Sequence, residues 1–269
     1  MSESNLAVLE NPQTALKFAS ATLPVYRTTE MATVMFESQK LEFSRSVMAI
    51  HNWQNISTNE IYRVFMASCA SGLSWALEEK NFYMIPRGGG IDLQITYRGE
   101  TSLRIAQGQF ERLDGPYCIY EGDEIIDLDR ANAHIKVKEA NPRQPKAKVI
   151  GVYLFIVFKN GSRSLRYFQQ QDFDRWMAAS ARQNGGRGAN ALYSSYNGGI
   201  DPGFAEGKCI KHSYRGLPKC KTLAGMKYET EIEASEEQHF ETTYEVVSPE
   251  TPSAPAQEVR IQQNNEFDF

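Results

Sequence analysis

The segment ITYRGETSLRIAQGQF, residues 95–110, changes its hydrophobic pattern within a few positions. The alternating apolar residues that lead into it predict a strand ending at Tyr97, and the spacing that follows predicts a short helix over about 99–107 that Gly108 stops. Backbone N–H groups at the start of such a helix can bind phosphate. The segment lacks the Gly-x-Gly-x-x-Gly and Gly-Lys-Ser/Thr forms of nucleotide sites. It therefore predicts an anion contact by Arg98, at the helix entrance beside flexible Gly99, without a nucleotide motif.

The sequence on both sides predicts a mixture of helices and strands. Ser57 and Glu60 have the spacing of a helix capping box. Helices are predicted at about 30–51, 57–72, 99–107, 169–183 and 204–216. Strands are predicted at 81–86, 91–97, 117–121, 124–128, 133–138, 149–158 and 163–168. Strands that follow one another without alternating helices indicate an α+β fold, with one mainly antiparallel sheet and packed helices.

Charge is divided unevenly along the chain. Residues 229–269 hold 11 of the 33 acidic residues and one of the 29 basic residues, so their net charge is −10 and that of residues 1–228 is +6. A basic body with an acidic tail is typical of polyanion binders, and an ordinary domain with a solubilising tail is the alternative. We predict a flexible N-terminal arm over 1–27, one core domain over 28–228, and a disordered acidic tail over 229–269.

The composition argues against secreted and membrane classes. No run of 18 apolar residues is present, and the first residues lack the basic flank and apolar stretch of a secretory signal. The four cysteines, Cys69, Cys118, Cys209 and Cys220, form no Cys-x-x-Cys pair. We expect a cytoplasmic protein with reduced thiols and no membrane contact.

The last predicted helix carries a basic stripe. Lys208, Lys211 or His212, and Arg215 fall on one face, and no acidic residue follows them before Glu229. Like charges at this spacing repel each other unless a ligand neutralises them. The stripe therefore predicts a polyanion contact, and a solvated cationic face is the alternative.

Cations and aromatic residues also alternate in the sequence before this helix. Arg182 and Arg187 lie near Tyr193 and Tyr196, which belong to a Gly-rich loop over 184–203 that looks too polar to pack. Cations that follow a phosphate backbone and rings that stack on bases are the components of a single-strand site. The two tyrosines are therefore candidates for base stacking.

Patterns for covalent chemistry are weak. Cys209, His212 and Cys220 do not have the spacing of a known structural zinc site. Asp123 and Glu124 could bind Mg²⁺ together with another acid, but EGDE is more simply a turn. We predict a protein that is not an enzyme and needs no cofactor, with Mg²⁺ compatible but not required.

Residues 69–125 resemble the signature of the RecT/Redβ family of phage single-strand annealing proteins. The matching pieces, in order, are Gly72-Leu73, Phe82 to Pro86, Tyr97-Arg98-Gly99, Leu103 to Gly108, and Glu121 to Asp123. A looser resemblance covers roughly residues 57–218. Phe204 stands where the family often has Met, and Glu206-Gly207 stand where it commonly has a basic pair.

The resemblance implies an ATP-independent protein that binds single-stranded DNA, anneals complementary strands in recombination and assembles into rings or filaments, with a core similar to that of Rad52 and Redβ. The implied partners are single-stranded and annealed duplex DNA, further copies of the chain, a phage exonuclease and the single-strand-binding protein of a bacterial host. In the family, the basic segment that holds Lys208, Lys211 and Arg215 contacts DNA. We predict DNA contacts by ten residues: Arg98, Arg104, Arg112, Arg182, Arg187, Lys208, Lys211, His212, Arg215 and Lys219.

Several alternatives stay open at this stage. Glu100 can pair with Arg104 four residues later, which would make Arg104 structural. A metal-dependent nuclease and an assembly module for an acidic partner protein are the other function classes. The helices before residue 57 are candidates for self-assembly. The end of the chain, QQNNEFDF, resembles the acidic-aromatic tip of bacterial single-strand-binding proteins, and the tail could equally compete for a DNA groove or only solubilise the chain.

Overall fold

A computed structural model describes residues 5–87 and 90–220 together with the backbone of residues 227 and 228. The helices are α1 (Pro12–Tyr26), α2 (Thr29–Met48), α3 (Thr58–Ala70), α4 (Tyr97–Ala106), α5 (Gln170–Gln183) and α6 (Pro202–Ser213). The strands are β1 (Phe82–Arg87), β2 (Gly90–Ile95), β3 (Arg112–Tyr120), β4 (Glu124–Asp129), β5 (His134–Lys138), β6 (Val149–Val157), β7 (Arg163–Gln169) and β8 (Lys227–Tyr228). No helix in this part of the chain is long and apolar enough to cross a bilayer. The predicted acidic tail and the turn glycines 88 and 89 lie outside the described residues.

The strands form three small sheets with the orders β1-β2-β8, β3-β6-β7 and β4-β5. Neighbouring strands are antiparallel except for β2 and β8, which pair in parallel. The predicted α+β class is therefore confirmed. The strands are divided among three sheets instead of one. The helix α4 follows β2 directly and separates the first hairpin from β3.

The first hydrophobic cluster joins the N-terminal helices to the β1-β2 hairpin. Phe18 of α1, Phe36 and Phe43 of α2 and Phe65 of α3 pack ring against ring, with centroids 5.1–5.9 Å apart. Phe18 is fully buried. The prediction that residues 1–27 are flexible is therefore wrong for the helix α1. Its buried face consists of Thr14, Phe18, Ala19 and Thr22, a pattern with too little apolar contrast to be recognised in the sequence.

The second hydrophobic cluster lies between the β3-β6-β7 sheet and the helices α5 and α6. Val152, Leu154 and Ile156 of β6 alternate along the strand and belong to this cluster, together with side chains of both helices. The Gly-rich segment 184–203 also contributes, since Tyr193 is 5% exposed and packs edge-on against Phe204. The expectation that this segment is too polar to pack is therefore wrong, and Tyr193 is not available for base stacking.

The start of α4 depends on one glycine at a close approach of two chain segments. Thr96 caps the helix by accepting a hydrogen bond from Gly99 N–H at 3.1 Å. A Cβ atom on Gly99 would lie 2.5 Å from the carbonyl oxygen of Asn81 and 2.9 Å from Ile95 Cγ2. Gly99 is thus required for close packing and does not act as a flexible joint.

We expect Gly99→Ala to lower the free energy of unfolding by about 1–3 kcal/mol, because the new methyl group meets backbone that cannot move aside cheaply. Gly203→Ala is the matched control, since the nearest atom to its Cβ is 3.4 Å away and alanine favours a helix. Urea unfolding of both variants tests this. Equal stability of the two variants would contradict the packing argument.

A hairpin of β4 and β5, here called the arm (residues 124–138), extends from the second sheet, and all its residues are exposed or half-buried. Asp123 fixes its base by accepting hydrogen bonds from the N–H groups of Tyr120 and Ala140, each 2.9 Å long. Arg143 adds an ion pair with Asp123 at 3.3 Å and stacks over Tyr120. The Asp123 side chain is 1% exposed and is fully used within the fold, so the suggested Mg²⁺ role is not what its contacts indicate.

Asp123 gives the stability of the protein a specific pH dependence. Burial alone would raise its pKa, but the two N–H groups and Arg143 outweigh burial and hold the pKa below its ordinary value of 3.8. Its contribution is thus complete above about pH 4 and is lost as the pH falls through the lowered pKa. We expect Asp123→Asn to lower the free energy of unfolding by about 1–3 kcal/mol at pH 7. In an acid titration, the free energy of unfolding of this variant should depend less on pH below pH 4 than that of wild type. If the free energy of unfolding falls equally with decreasing pH in the variant and in wild type, Asp123 does not have this role.

Candidate nucleic-acid interface

A cleft of about 500 Å³ lies between elements of the two hydrophobic clusters. One wall consists of the residues before β1, the strand β1 and the N-terminus of α4; the other consists of α6 and the end of the Gly-rich segment. The lining residues are Lys80, Tyr83, Thr96, Tyr97, Arg98, Leu192, Asp201, Gly203, Phe204, Glu206, Gly207, Lys208 and Lys211. The four cations and two carboxylates among them give the lining a formal excess of positive charge.

Two contacts hold the walls of the cleft at this separation. A Cβ on Gly207 would lie 3.2 Å from Tyr97 Cε1, so the absence of a side chain at 207 lets α6 approach the start of α4 closely. One helical turn beyond the cleft, the hydroxyl groups of Thr101 and Tyr214 are hydrogen-bonded. The cleft is thus built into the packing of α4 on α6.

The four cations are arranged at two depths. Lys80 and Arg98 are exposed at the rim, and Arg98 lies over the ring of Tyr97 with its guanidinium carbon 6.0 Å from the ring centre. Lys208 and Lys211 are only 6% and 3% exposed, and the Lys208 ammonium lies 5.2 Å from the ring centre of Phe204. An anion in the cleft would therefore meet charge both at its entrance and at its base, in surroundings where charge is weakly screened.

The two carboxylates of the cleft differ in environment. Asp201 is the N-cap of α6 and accepts a hydrogen bond from Phe204 N–H at 2.9 Å, where the helix dipole favours its charge. Glu206 lies one turn into the helix, and burial followed by repulsion from Asp201 raises its pKa above the ordinary value of 4.5.

Three of the ten predicted DNA-contacting residues, Arg98, Lys208 and Lys211, come together in this cleft. Arg104 lies elsewhere and is 4% exposed. Its guanidinium donates to Glu100 Oε1 at 2.9 Å and to the carbonyl of Pro218 at 2.8 Å, and it stacks over Tyr214. These contacts match the structural alternative for Arg104.

The predicted basic stripe of α6 is divided between two sides of the helix. Lys208 and Lys211 line the cleft, whereas His212 is stacked on Trp176 with ring centres 4.3 Å apart. Burial and then the charges of Arg215, Lys208 and Lys211 lower the pKa of His212 to about 2, so its imidazole is neutral at physiological pH. His212 thus contributes packing to this region and no positive charge.

The other five predicted residues are exposed and lie outside the lining of the cleft: Arg112, Arg182, Arg187, Arg215 and Lys219. Arg112 donates to Asp114 at 2.9 Å at the start of β3. Arg215 lies at the mouth of a smaller cavity, of about 190 Å³, on the other side of α6 beside Trp176 and His212.

Sequence reasoning missed Lys80 and Tyr83. Lys80 has a positive φ of 51°, a backbone geometry that places it at the rim just before β1, and no local motif marks it. The sequence pattern predicts only a strand at Tyr83. Tyr97 was part of the quoted segment, but its place against α6 depends on Gly207, more than a hundred residues away.

Side chains suited to other chemistry are placed differently. Burial raises the pKa of Cys118 to about 12 and raises those of Cys69 and Cys209 as well, so these thiols are not activated nucleophiles. Within the described residues, no group of three His, Cys, Asp or Glu side chains has a geometry that could bind a metal ion. The arrangement in the cleft is suited to binding a polyanion.

The RecT family model matches residues 37–191, which is more than half of the chain. The match runs from within α2 to the Gly-rich segment and includes the α4 wall of the cleft, while α6 follows it. A comparison with curated proteins finds no match. Proteins of this family are associated with phages, bind DNA and anneal single strands in recombination. The chain is therefore a member of the RecT family.

Proposed function

We propose that the protein binds a single DNA strand in the cleft between α4 and α6 and anneals it to a complementary strand without ATP. The observation that carries this proposal is the position of Arg98 and Lys80 at the rim and of Lys208 and Lys211 at the base of one cleft. Cations at these positions favour a phosphate backbone irrespective of base sequence.

Aromatic side chains in the same cleft support a single strand as the ligand. Tyr83 and Tyr97 line it beside the cations, and exposed bases of a single strand can stack on such rings. Annealing forms and breaks no covalent bond, so this function needs no catalytic group or nucleotide cofactor. Selection of the partner strand is left to base pairing.

A cleft of this size holds a short stretch of DNA, so a long strand requires several copies of the protein. We propose that copies assemble head to tail into a ring or filament. The outer face of α2 supports this, because Val34, Leu41 and Met48 recur every seven residues and are 50–67% exposed. We also propose, from the family resemblance, a phage exonuclease and the host single-strand-binding protein as partners in the bacterial cytoplasm.

The test mixes the protein with a fluorescent oligonucleotide, then with its quencher-labelled complement, in the absence of any nucleotide triphosphate. We expect duplex formation to be several times faster than without protein, with no effect on a non-complementary strand. The acceleration should decline as salt rises, because phosphate contacts release counterions. Equal rates with and without protein would overturn the proposed function.

A further inference from the structure

Glu206 is an acidic residue in a cleft otherwise suited to phosphate. It lines the cleft on the α6 wall, one residue before Gly207 and two before Lys208. Its Oε1 atom lies 3.9 Å from the thiol of Cys118, so the carboxyl group is near strand β3 of the second sheet. Any strand that reaches Lys208 must bring phosphate charge towards this group.

The neighbouring Asp201 cannot relieve the repulsion. Its carboxylate caps α6 through the hydrogen bond from Phe204 N–H, and replacing or neutralising an N-cap costs about 1 kcal/mol. Glu206 caps nothing, and burial together with Asp201 already raises its pKa. A further negative charge in the cleft would raise the pKa of Glu206 in the same direction.

The charged and titratable groups around Glu206 come from every element that packs near it. Its own helix contributes Asp201, Lys208, Cys209 and Lys211; β3 contributes Cys118 and Tyr120; the opposite wall contributes Lys80, Tyr83, Tyr97 and Arg98. Burial raises the pKa of the thiols Cys118 and Cys209, so both are neutral near pH 7. Glu206 is thus the carboxyl group in this set whose pKa is raised above its ordinary value.

We infer that Glu206 sets the affinity of the cleft for a DNA strand, and that a strand enters the cleft with uptake of a proton by the Glu206 carboxylate. This inference rests on the proposed function and adds a residue that determines its strength and pH dependence. Glu206 weakens the hold of the cleft on phosphate at neutral pH, which favours release of the annealed product.

The sign of the effect follows from the charge of the two forms. Deprotonated Glu206 repels phosphate and protonated Glu206 does not, so affinity falls as the pH rises through the pKa of this group. Glutamine has the shape of the protonated form. At acid pH, Glu206→Gln and wild type should bind DNA equally, and the two should diverge as the pH rises.

The experiment measures binding of a fluorescent oligothymidylate from about pH 5 to pH 8 at constant ionic strength. We expect Glu206→Gln to bind about three- to tenfold tighter than wild type at pH 8, as one nearby charge allows, and this difference to shrink as the pH falls. Glu124→Gln is the matched control, because it makes the same change in net charge on the exposed arm. It should behave as wild type at every pH.

Proton uptake by wild type is a second measurement that does not depend on folding of a variant. Titration calorimetry in buffers of different ionisation enthalpy, repeated across this pH range, should show uptake of a fraction of a proton on binding. Binding by wild type that takes up no proton, or a ratio of Glu206→Gln to wild type that stays constant with pH, would overturn this inference alone. Absence of binding by wild type at every pH would overturn the proposed function as well.

Discussion

Replacing both Lys208 and Lys211 by glutamine weakens binding of single-stranded DNA at least about tenfold at moderate salt. The two ammonium groups lie at the base of the cleft, where burial reduces screening, and hydrogen bonds to charged groups there contribute about 1.5–3 kcal/mol each. Each phosphate contact in a single strand adds about 0.7 to the slope of log affinity against log salt concentration. The double variant should therefore reduce that slope by about 1.4.

The matched control is replacement of Lys136 and Lys138 by glutamine. These lysines are exposed on the arm, and the change in net charge is the same. Thermal unfolding of both double variants shows whether a loss of binding comes from a loss of structure. Equal loss of affinity in the two double variants would mean that net charge, and not the cleft, determines binding.

Replacing Arg104 by alanine lowers the free energy of unfolding by about 3–5 kcal/mol, because it leaves the 2%-exposed Glu100 without its cationic partner. The variant also loses the hydrogen bond from Arg104 to the Pro218 carbonyl, which joins α4 to the chain that follows α6. Urea unfolding at neutral pH gives the loss directly.

The double variant Glu100→Leu with Arg104→Met separates charge from packing. Removing both charges avoids the uncompensated buried carboxylate, so this variant should be more stable than Arg104→Ala. If Arg104→Ala instead unfolds like wild type and binds DNA weakly, Arg104 is one of the predicted DNA contacts.

The sequence predicts elements well where one short segment contains the whole signal. Ser57 caps α3 as predicted, since its side chain accepts from Glu60 N–H at 3.2 Å. The second half of the predicted capping box is absent from the fold because the Glu60 carboxylate instead accepts from Arg63 and from Ile91 N–H. Local spacing thus identifies the helix start, whereas a tertiary contact determines where the carboxylate points.

The candidate site was only partly predictable for the same reason. Helical spacing predicts one face for Lys208, Lys211 or His212, and Arg215, but α6 has a neighbour on each side, and these neighbours divide the stripe. Lys80 and Lys208 are 128 positions apart in the chain, and only the approach of α6 to α4 brings them to one cleft. No periodicity in the sequence encodes that approach.

Photochemical cross-linking tests most directly whether a DNA strand occupies this cleft. An oligonucleotide that contains 5-iododeoxyuridine is bound to the full chain and irradiated, and the attached residues are identified by mass spectrometry. We predict adducts at Tyr83 or Tyr97, which line the cleft. Adducts confined to tyrosines away from it, such as Tyr117 and Tyr153 on the β3-β6-β7 sheet, would contradict the assignment of the cleft as the DNA-binding site.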